Sequence, residues 1–302
     1  MTATKHNGGS RLPHLLLLLF GVMCASSAVI IVKASHEHPI LLASYRLLVA
    51  VVFLLPLFLR DCRRYRSSYG LPHLAASILP GFLLGLHFMS WIAAARMTAA
   101  VNASLLVNLS PVAMPFFLLV LVHERVNRQE IVGTLMAVCG LVVLSWSDFT
   151  VSPEHFWGDM LCLGSMLLFC WYLVTARRNN RAPSIWLYVV PVYTVAGVFC
   201  FLCALLLADP IKSYPPREIA LILALAFFPT VIGHSVFNRS MQHLRGQVVS
   251  IVNMMQFIFA GTLAFVLLDE VPSRVFYVAA ALVVCGGWTC VFGHARIQRK
   301  GA

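Results

Sequence analysis

Three residues that could carry chemistry lie inside long apolar stretches, where charged or titratable side chains are uncommon. They are Arg46, His87 and His234. A guanidinium can hold a carboxylate through two parallel hydrogen bonds, and an imidazole titrates close to neutral pH. Arg46 could therefore bind an anion, and His87 or His234 could carry a proton. A buried histidine, however, is more often a neutral hydrogen-bonding group. A buried Arg46 could also extend to the interface or pair with Glu37 or Asp159.

Amide and aromatic side chains occur in the same stretches. Asn108 follows Ser104 by four residues, and Asn253 follows Ser250 by three, so each pair shares a helical face. Such groups can bind a solute or can hold membrane helices together. The complete set of predicted substrate-binding residues is Arg46, His87, Trp91, Asn108, Trp171, Tyr172, His234, Asn238 and Asn253.

Other chemistries find little support. Cys200 and Cys203 have CxxC spacing but lie in an unbroken apolar stretch, and the short cluster His36-Glu37-His38 falls in a predicted loop. The sequence contains no His-Glu-x-x-His, Gly-x-Ser-x-Gly or P-loop motif, so we expect neither an enzyme nor a metal or cofactor site. Rings of filter residues typical of ion channels are also missing.

The elements that position these residues are predicted to be membrane-spanning helices. The 302 residues are 60% hydrophobic and only 11% charged, which is too few polar residues to cover a water-soluble domain. Uncharged stretches near twenty residues predict ten spans. The first five are 14–32, 40–59, 74–95, 99–122 and 131–147, and the last five are 157–176, 184–208, 218–238, 246–268 and 275–293.

The basic residues fix the predicted orientation. Most of the 22 Lys and Arg residues fall in segments that are cytoplasmic if both termini are inside the cell. The excess of basic residues, a net charge of +11, is therefore explained by contact with the anionic cytoplasmic leaflet of the bilayer. Nucleic acid is not an expected partner. The N-terminal stretch resembles a signal peptide, but its apolar run continues to Val32, which is long enough to span.

The two halves of the chain repeat each other. A shift of about 144 to 146 residues aligns Pro39 with Pro183, Glu124 with Glu270, and Cys139 with Cys285. Because each half has five spans, the second must be inverted relative to the first. We therefore predict an all-α integral membrane protein of ten transmembrane helices, in two inverted five-helix repeats at 14–148 and 157–293.

These features resemble the drug/metabolite transporter superfamily, in particular its ten-helix EamA-type members. The resemblance rests on Arg46, on Leu109-Ser110-Pro111-Val112, on His123-Glu124-Arg125 followed by Gly133 and Gly140, and on Leu268-Asp269-Glu270. It implies solute export, most often of amino acids or related metabolites, through a cavity lined by spans one, three, four, six, eight and nine. It also favours a structural or gating role for Arg46 over direct binding.

One departure concerns span nine. It has Phe257 where its repeat partner has Pro111, which puts a break of that helix in doubt. Glu124 and Glu270 are expected to be structural, either at the start of the next helix or in pairs with basic groups.

The predicted function is therefore export of a small-molecule substrate by alternating access, with amino acids or related compounds leading. Efflux of cationic or aromatic drugs is the alternative, and an intramembrane enzyme the distant third. We expect a multi-pass protein of the cell inner membrane, and the sequence leaves a homodimer open.

Overall fold

The computed structural model describes residues 12–98, 100–146, 153–178, 182–210, 212–268 and 271–300, and within these ranges the chain is helical with no strand. The helices of the first half are α1 Leu12–Ala34, α2 Pro39–Arg64, α3 Leu71–Ala75, α4 Ile78–Met97, α5 Ala100–Asn108, α6 Ser110–Val122 and α7 Arg128–Ser145. Those of the second half are α8 Pro153–Arg178, α9 Trp186–Leu207, α10 Pro216–Leu225, a π-helical segment Ala226–His234, α11 Ser235–His243, α12 Gly246–Asn253, α13 Gln256–Leu268 and α14 Arg274–Lys300.

These helices confirm the predicted all-α membrane fold with two repeats. Nine stretches of the described chain are long and apolar enough to cross a bilayer. The one predicted span that is not among these nine stretches, 131–147, corresponds to α7. The first apolar run forms the full-length helix α1, whose Leu18 and Val22 are completely buried in the bundle.

Helix starts follow the local sequence. Pro39, Pro111 and Pro216 occupy the first turns of α2, α6 and α10, where a missing backbone N–H costs nothing. At α7 the Asn127 side chain accepts a hydrogen bond from the Glu130 backbone N–H (2.9 Å). The Glu130 carboxylate accepts one in return from the Asn127 N–H (2.8 Å), which completes a capping box.

The last helices of the two repeats, α7 and α14, pack directly along each other. A methyl group at Gly133 would lie 2.5 Å from the carbonyl oxygen of Gly286, and one at Gly140 would lie 2.8 Å from that of Ala279. Side chains are therefore excluded at both crossing points. Small residues let the two backbones approach closely, as is typical of helix pairs in membranes.

Spans four and nine are both interrupted at equivalent positions. Span four breaks after Asn108, and α6 begins at Ser110 with Pro111 in its first turn. Span nine breaks after Asn253 although it has no proline there, so the doubt raised by Phe257 is resolved in favour of a break. The N–H groups of Met254 and Met255 turn to carbonyls three residues back, Ile251 O and Val252 O, which tightens the end of α12.

Ion pairs join four segments at the basic end of the bundle. Glu124, at the end of span four, contacts Arg177 (2.6 Å) and Arg245 (3.8 Å). Arg245 also pairs with the fully buried carboxylate of Glu130, whose hydrogen bond raises the pKa of Arg245 above its usual value. Arg177 donates to the carbonyl oxygens of Met241 and Leu244. The structural role predicted for Glu124 is thus confirmed, whereas Asp269, Glu270 and the Ser104 side chain lie outside the described residues.

Candidate functional site

A cavity lies at the centre of the bundle, between the two repeats. It is bounded by spans one, three, four, six, eight and nine, the set implied by the resemblance, and by Arg46 of span two. Its empty space is about 670 Å³ with the open mouth included, but the part in which a water molecule can be centred is about 70 Å³. The site is therefore narrow in this conformation, and an organic solute requires some side chains to move apart.

Arg46 is the cation of this cavity. Its side chain is 1% exposed, its Nε donates to Thr230 Oγ1 (3.0 Å), and its guanidinium carbon lies 3.8 Å from the centre of the Phe88 ring. The terminal nitrogens Nη1 and Nη2 form no hydrogen bond within the described part of the chain. A buried guanidinium with two unsatisfied donor groups is costly, so this arrangement is suited to an anionic ligand.

The two carboxylates suggested as partners of Arg46 do not pair with it. Glu37 binds Lys212 Nζ (2.9 Å), and Asp159 accepts a hydrogen bond from Thr98 Oγ1 (2.6 Å). Neither contact includes the Arg46 guanidinium. The expectation of an ion pair with either one is therefore corrected.

The π-helical segment places Thr230 against Arg46. Pro229 has no N–H, so the carbonyl oxygen of Leu225 loses its ordinary helical donor four residues on. The Thr230 hydroxyl donates to that carbonyl (2.9 Å) and accepts from Arg46 Nε. π-helical segments often occur at functional positions, and here the segment places the Thr230 hydroxyl against the Arg46 guanidinium.

The two predicted histidines converge on the same wall of the cavity. The ring centroids of His87 and His234 are 6.4 Å apart, and the His87 ring stacks on Phe169 at 5.0 Å. Ser165 Oγ donates to the His87 carbonyl oxygen (2.9 Å), while His87 Nδ1 lies 3.0 Å from the Ser165 carbonyl oxygen. His87 Nδ1 also lies 2.8 Å from Ser165 Oγ, so both the carbonyl and the hydroxyl oxygen of Ser165 contact this ring nitrogen. His234 Nδ1 has no hydrogen-bond partner among the described residues.

Two amides lie at the broken ends of the half-helices. Asn108 ends α5 and Asn253 ends α12, and both line the cavity. The side chain of Gln256 donates to Asn253 Oδ1 (2.5 Å), so the break in span nine brings a second amide to the site. The carboxyl ends of both half-helices, which carry partial negative charge, therefore meet at the cavity.

The remaining predicted residues divide into one that lines the cavity and three that do not. Trp91 is 7% exposed and forms part of the wall. Tyr172 is fully buried behind His234 and accepts a hydrogen bond from Asn238, which also donates to the His234 carbonyl oxygen (2.7 Å). Trp171 is 37% exposed, stacks on Phe117 and does not line the cavity.

Several residues of the site escaped prediction, among them Thr230, which accepts a hydrogen bond from Arg46. Phe88, Phe169 and Gln256 line the cavity, yet two of them are ordinary phenylalanines in apolar helices. Gln256 had a usable signal, because it follows Asn253 by three residues and is a polar group inside a predicted span. Among the described residues, no three His, Cys, Asp or Glu side chains are grouped as a metal ion requires.

Comparison with known proteins adds to this geometry. The chain matches the model of the EamA-like transporter family twice, over residues 11–146 and 150–291. It is 26% identical over 281 residues to an uncharacterized transporter of Archaeoglobus fulgidus, with 90% of this chain and 95% of that protein covered. A solved crystal structure with 19% identity superposes with a TM-score of 0.80 over 96% of this chain and 100% of the other, a likeness that concerns the fold alone.

Proposed function

The chain belongs to the EamA-like transporter family, and from that premise we propose that it exports small organic carboxylates, with amino acids and related metabolites as the leading class. Alternating access between the two repeats would carry the solute past the central cavity. The nine predicted residues are proposed to act in two ways. Six line the cavity and contact the solute, namely Arg46, His87, Trp91, Asn108, His234 and Asn253, while Trp171, Tyr172 and Asn238 support the surrounding helices.

The observation that carries this proposal is the unsatisfied guanidinium of Arg46. Thr230 and Phe88 hold it in place on two sides and leave Nη1 and Nη2 without partners among the described residues. A carboxylate would satisfy both donors in one bidentate contact and would neutralise the buried charge. Direct binding by Arg46 is therefore favoured over the structural or gating role that the family resemblance implied.

An amino acid also requires a place for its ammonium group. The carboxyl ends of α5 and α12 lie at the cavity, and backbone carbonyl oxygens at these two helix breaks are proposed to accept hydrogen bonds from the ammonium group. Aromatic rings, among them Trp91 and Phe169, would surround the apolar part of the solute. The site thus has one region for each part of a zwitterion.

Efflux of cationic drugs is supported less well. None of the described residues that line the cavity is acidic, and the buried Arg46 would repel a cation. An amphipathic anion or a zwitterion avoids that repulsion.

The orientation and location follow from the charge distribution. We propose that the end carrying the Glu124 network is cytoplasmic, because the basic residues concentrate there, and that the protein resides in the inner membrane of a bacterial cell. Its partners are then the solute and the lipid bilayer.

Reconstitution in liposomes tests the proposal. Uptake of labelled amino acids would be measured with and without unlabelled solute inside, for the wild type, Arg46→Gln and the control Arg63→Gln, whose side chain is exposed. Each solute would be compared with its carboxamide, which lacks only the negative charge. Loss of a buried charged contact costs about 2–5 kcal/mol, so we expect apparent affinity for the acid to fall at least thirtyfold in Arg46→Gln and to stay unchanged in Arg63→Gln.

Two outcomes would contradict the proposal. If wild-type vesicles transport no member of the panel, amino acids cease to be the leading class. If acid and carboxamide are transported equally well, Arg46 does not bind a carboxylate. Uptake that is neither saturable nor accelerated by internal solute would indicate a channel.

A further inference from the structure

A second cleft lies at the basic end of the bundle, away from the central cavity. It is formed by the carboxyl end of α2, the segment that leads into α9, and the carboxyl end of α11, and its volume is about 450 Å³. Six of its lining residues matter for the argument: Arg60, Arg64, Tyr65, Trp186, Arg239 and His243. The transport cycle proposed above gives this cleft no role.

The cleft retains an excess of positive charge. Its one carboxylate, Asp61, is already engaged by the Ser184 hydroxyl (2.5 Å) and by Arg60 Nε (2.9 Å). Arg64 contacts the Tyr65 ring at 5.5 Å, but within the described ranges neither Arg64 nor Arg239 forms an ion pair or a hydrogen bond. Two guanidinium groups on different spans are thus available to one anion, and planar fork-shaped donors match phosphate oxygens well.

The surface that continues from the cleft toward the membrane interior is apolar. Phe53, Leu57, Arg60 and Arg64 recur at spacings of four, three and four, so they share one face of α2. Phe53 is 42% exposed and contacts Phe227 of span eight, itself 41% exposed, with ring centroids 5.6 Å apart. A ligand bound by the arginines could therefore lay apolar chains along the junction of spans two and eight.

We propose that this cleft binds the phosphate head group of an anionic phospholipid, with its acyl chains against Phe53 and Phe227. Charge selects the head group, because neither Arg64 nor Arg239 forms an ion pair or a hydrogen bond within the described ranges, and a zwitterionic head group adds no net negative charge. The adjoining apolar face selects a lipid over a soluble phosphate. Trp186 and Tyr65 suit this position, since amphipathic rings concentrate at the level of lipid head groups.

Native mass spectrometry of the full chain in detergent tests this inference. The protein would be titrated with phosphatidylglycerol, with phosphatidylcholine of the same acyl chains, and with glycerol phosphate as the soluble head group. The variant is Arg64→Gln with Arg239→Gln. The control is Arg63→Gln with Arg66→Gln, which removes the same charge from exposed positions of the neighbouring surface that do not line the cleft.

The wild type and the control should bind phosphatidylglycerol about tenfold more tightly than phosphatidylcholine, and the cleft variant should lose that preference. If the control loses the preference for phosphatidylglycerol as much as the cleft variant does, or if the cleft variant keeps it, the cleft is not the binding site. If glycerol phosphate displaces phosphatidylglycerol when both are present at the same concentration, the ligand of the cleft is a small anion and not a lipid. If the glutamine pair does not fold, the single variants Arg64→Gln and Arg239→Gln decide: each should weaken the preference for phosphatidylglycerol, and two folded single variants that keep the full preference would refute the inference.

Discussion

The hydroxyl of Thr230 is predicted to orient Arg46, and Thr230→Val removes only that function. Valine has nearly the same shape, but it offers no oxygen to Arg46 Nε, which lies 3.0 Å away, and no hydrogen to the Leu225 carbonyl, which lies 2.9 Å away. Thr230→Ser keeps the oxygen and is the matched control. The comparison therefore isolates the two hydrogen bonds of this hydroxyl, one from the buried cation and one to the Leu225 carbonyl oxygen.

The expected magnitude follows from the burial of the group. Hydrogen bonds to charged groups contribute about 1.5–3 kcal/mol, and a buried donor that loses its acceptor keeps the whole desolvation cost. Arg46 is 1% exposed, so water cannot replace the lost oxygen without entering the cavity. We expect the KM for a carboxylate solute to rise about tenfold in Thr230→Val, equivalent to about 1.4 kcal/mol, and less than threefold in Thr230→Ser.

Initial rates of uptake into liposomes measure this effect. A positioning role predicts a change in KM with the maximal rate preserved, a change confined to the carboxylate and absent for its carboxamide. It also predicts no additional loss when Thr230→Val is combined with Arg46→Gln, because the cation has already gone. Equal KM values for the valine and serine variants, or full additivity in the double variant, would refute the reasoning.

Two other predictions concern packing and the wall of the cavity. Gly133→Ala should destabilise the protein by about 1–3 kcal/mol, because the new methyl group would lie 2.5 Å from the Gly286 carbonyl oxygen. Gly164→Ala is the matched control: a methyl group there would have no atom within 4 Å, so the change should be neutral or stabilising by up to about 1 kcal/mol. Thermal or denaturant unfolding measures both effects. A lower melting temperature in Gly164→Ala than in Gly133→Ala would contradict this order. Trp91→Ala should raise the KM for uptake, while Trp171→Ala should leave it within about twofold, because only Trp91 lines the cavity; equal effects would remove Trp91 from the site.

Sequence patterns predicted the fold well because a bilayer permits few kinds of backbone structure. Uncharged stretches of about twenty residues can only be helices in hydrocarbon, and they predicted the number of spans, while the internal repeat predicted that the second half is inverted. The interruption of span nine was harder to foresee, since Met254 and Met255 carry no breaking signal of their own. The π-helical segment was also hidden. Pro56 and Pro191 lie inside ordinary α-helices, so Pro229 alone could not indicate it.

The site was predicted where polarity in hydrocarbon made a residue conspicuous. Arg46, His87 and Asn253 were found in this way, because each is costly in a membrane unless it faces protein or water. Their partners could not be found, since contacts such as Arg46 with Phe88 or His87 with Phe169 join different spans. Twenty phenylalanines in the chain give no local sign of which ones surround the cavity.

The π-helical segment also makes the two repeats unequal. The position in the second half that corresponds to Arg46 is Val190, and the counterpart of the π-helical segment in the first half is the uninterrupted α-helix α4. In a transporter with identical inverted halves, the inward-open and outward-open conformations would be related by a twofold rotation about an axis in the membrane plane and would have equal free energy. Here the contact between Arg46 of span two and Thr230 of span eight has no equivalent between spans seven and three, because Val190 replaces the arginine, so symmetry does not make the two free energies equal. If the protein works by the alternating access proposed above, the empty carrier would favour one side of the membrane, and a solute bound at Arg46 would change that bias.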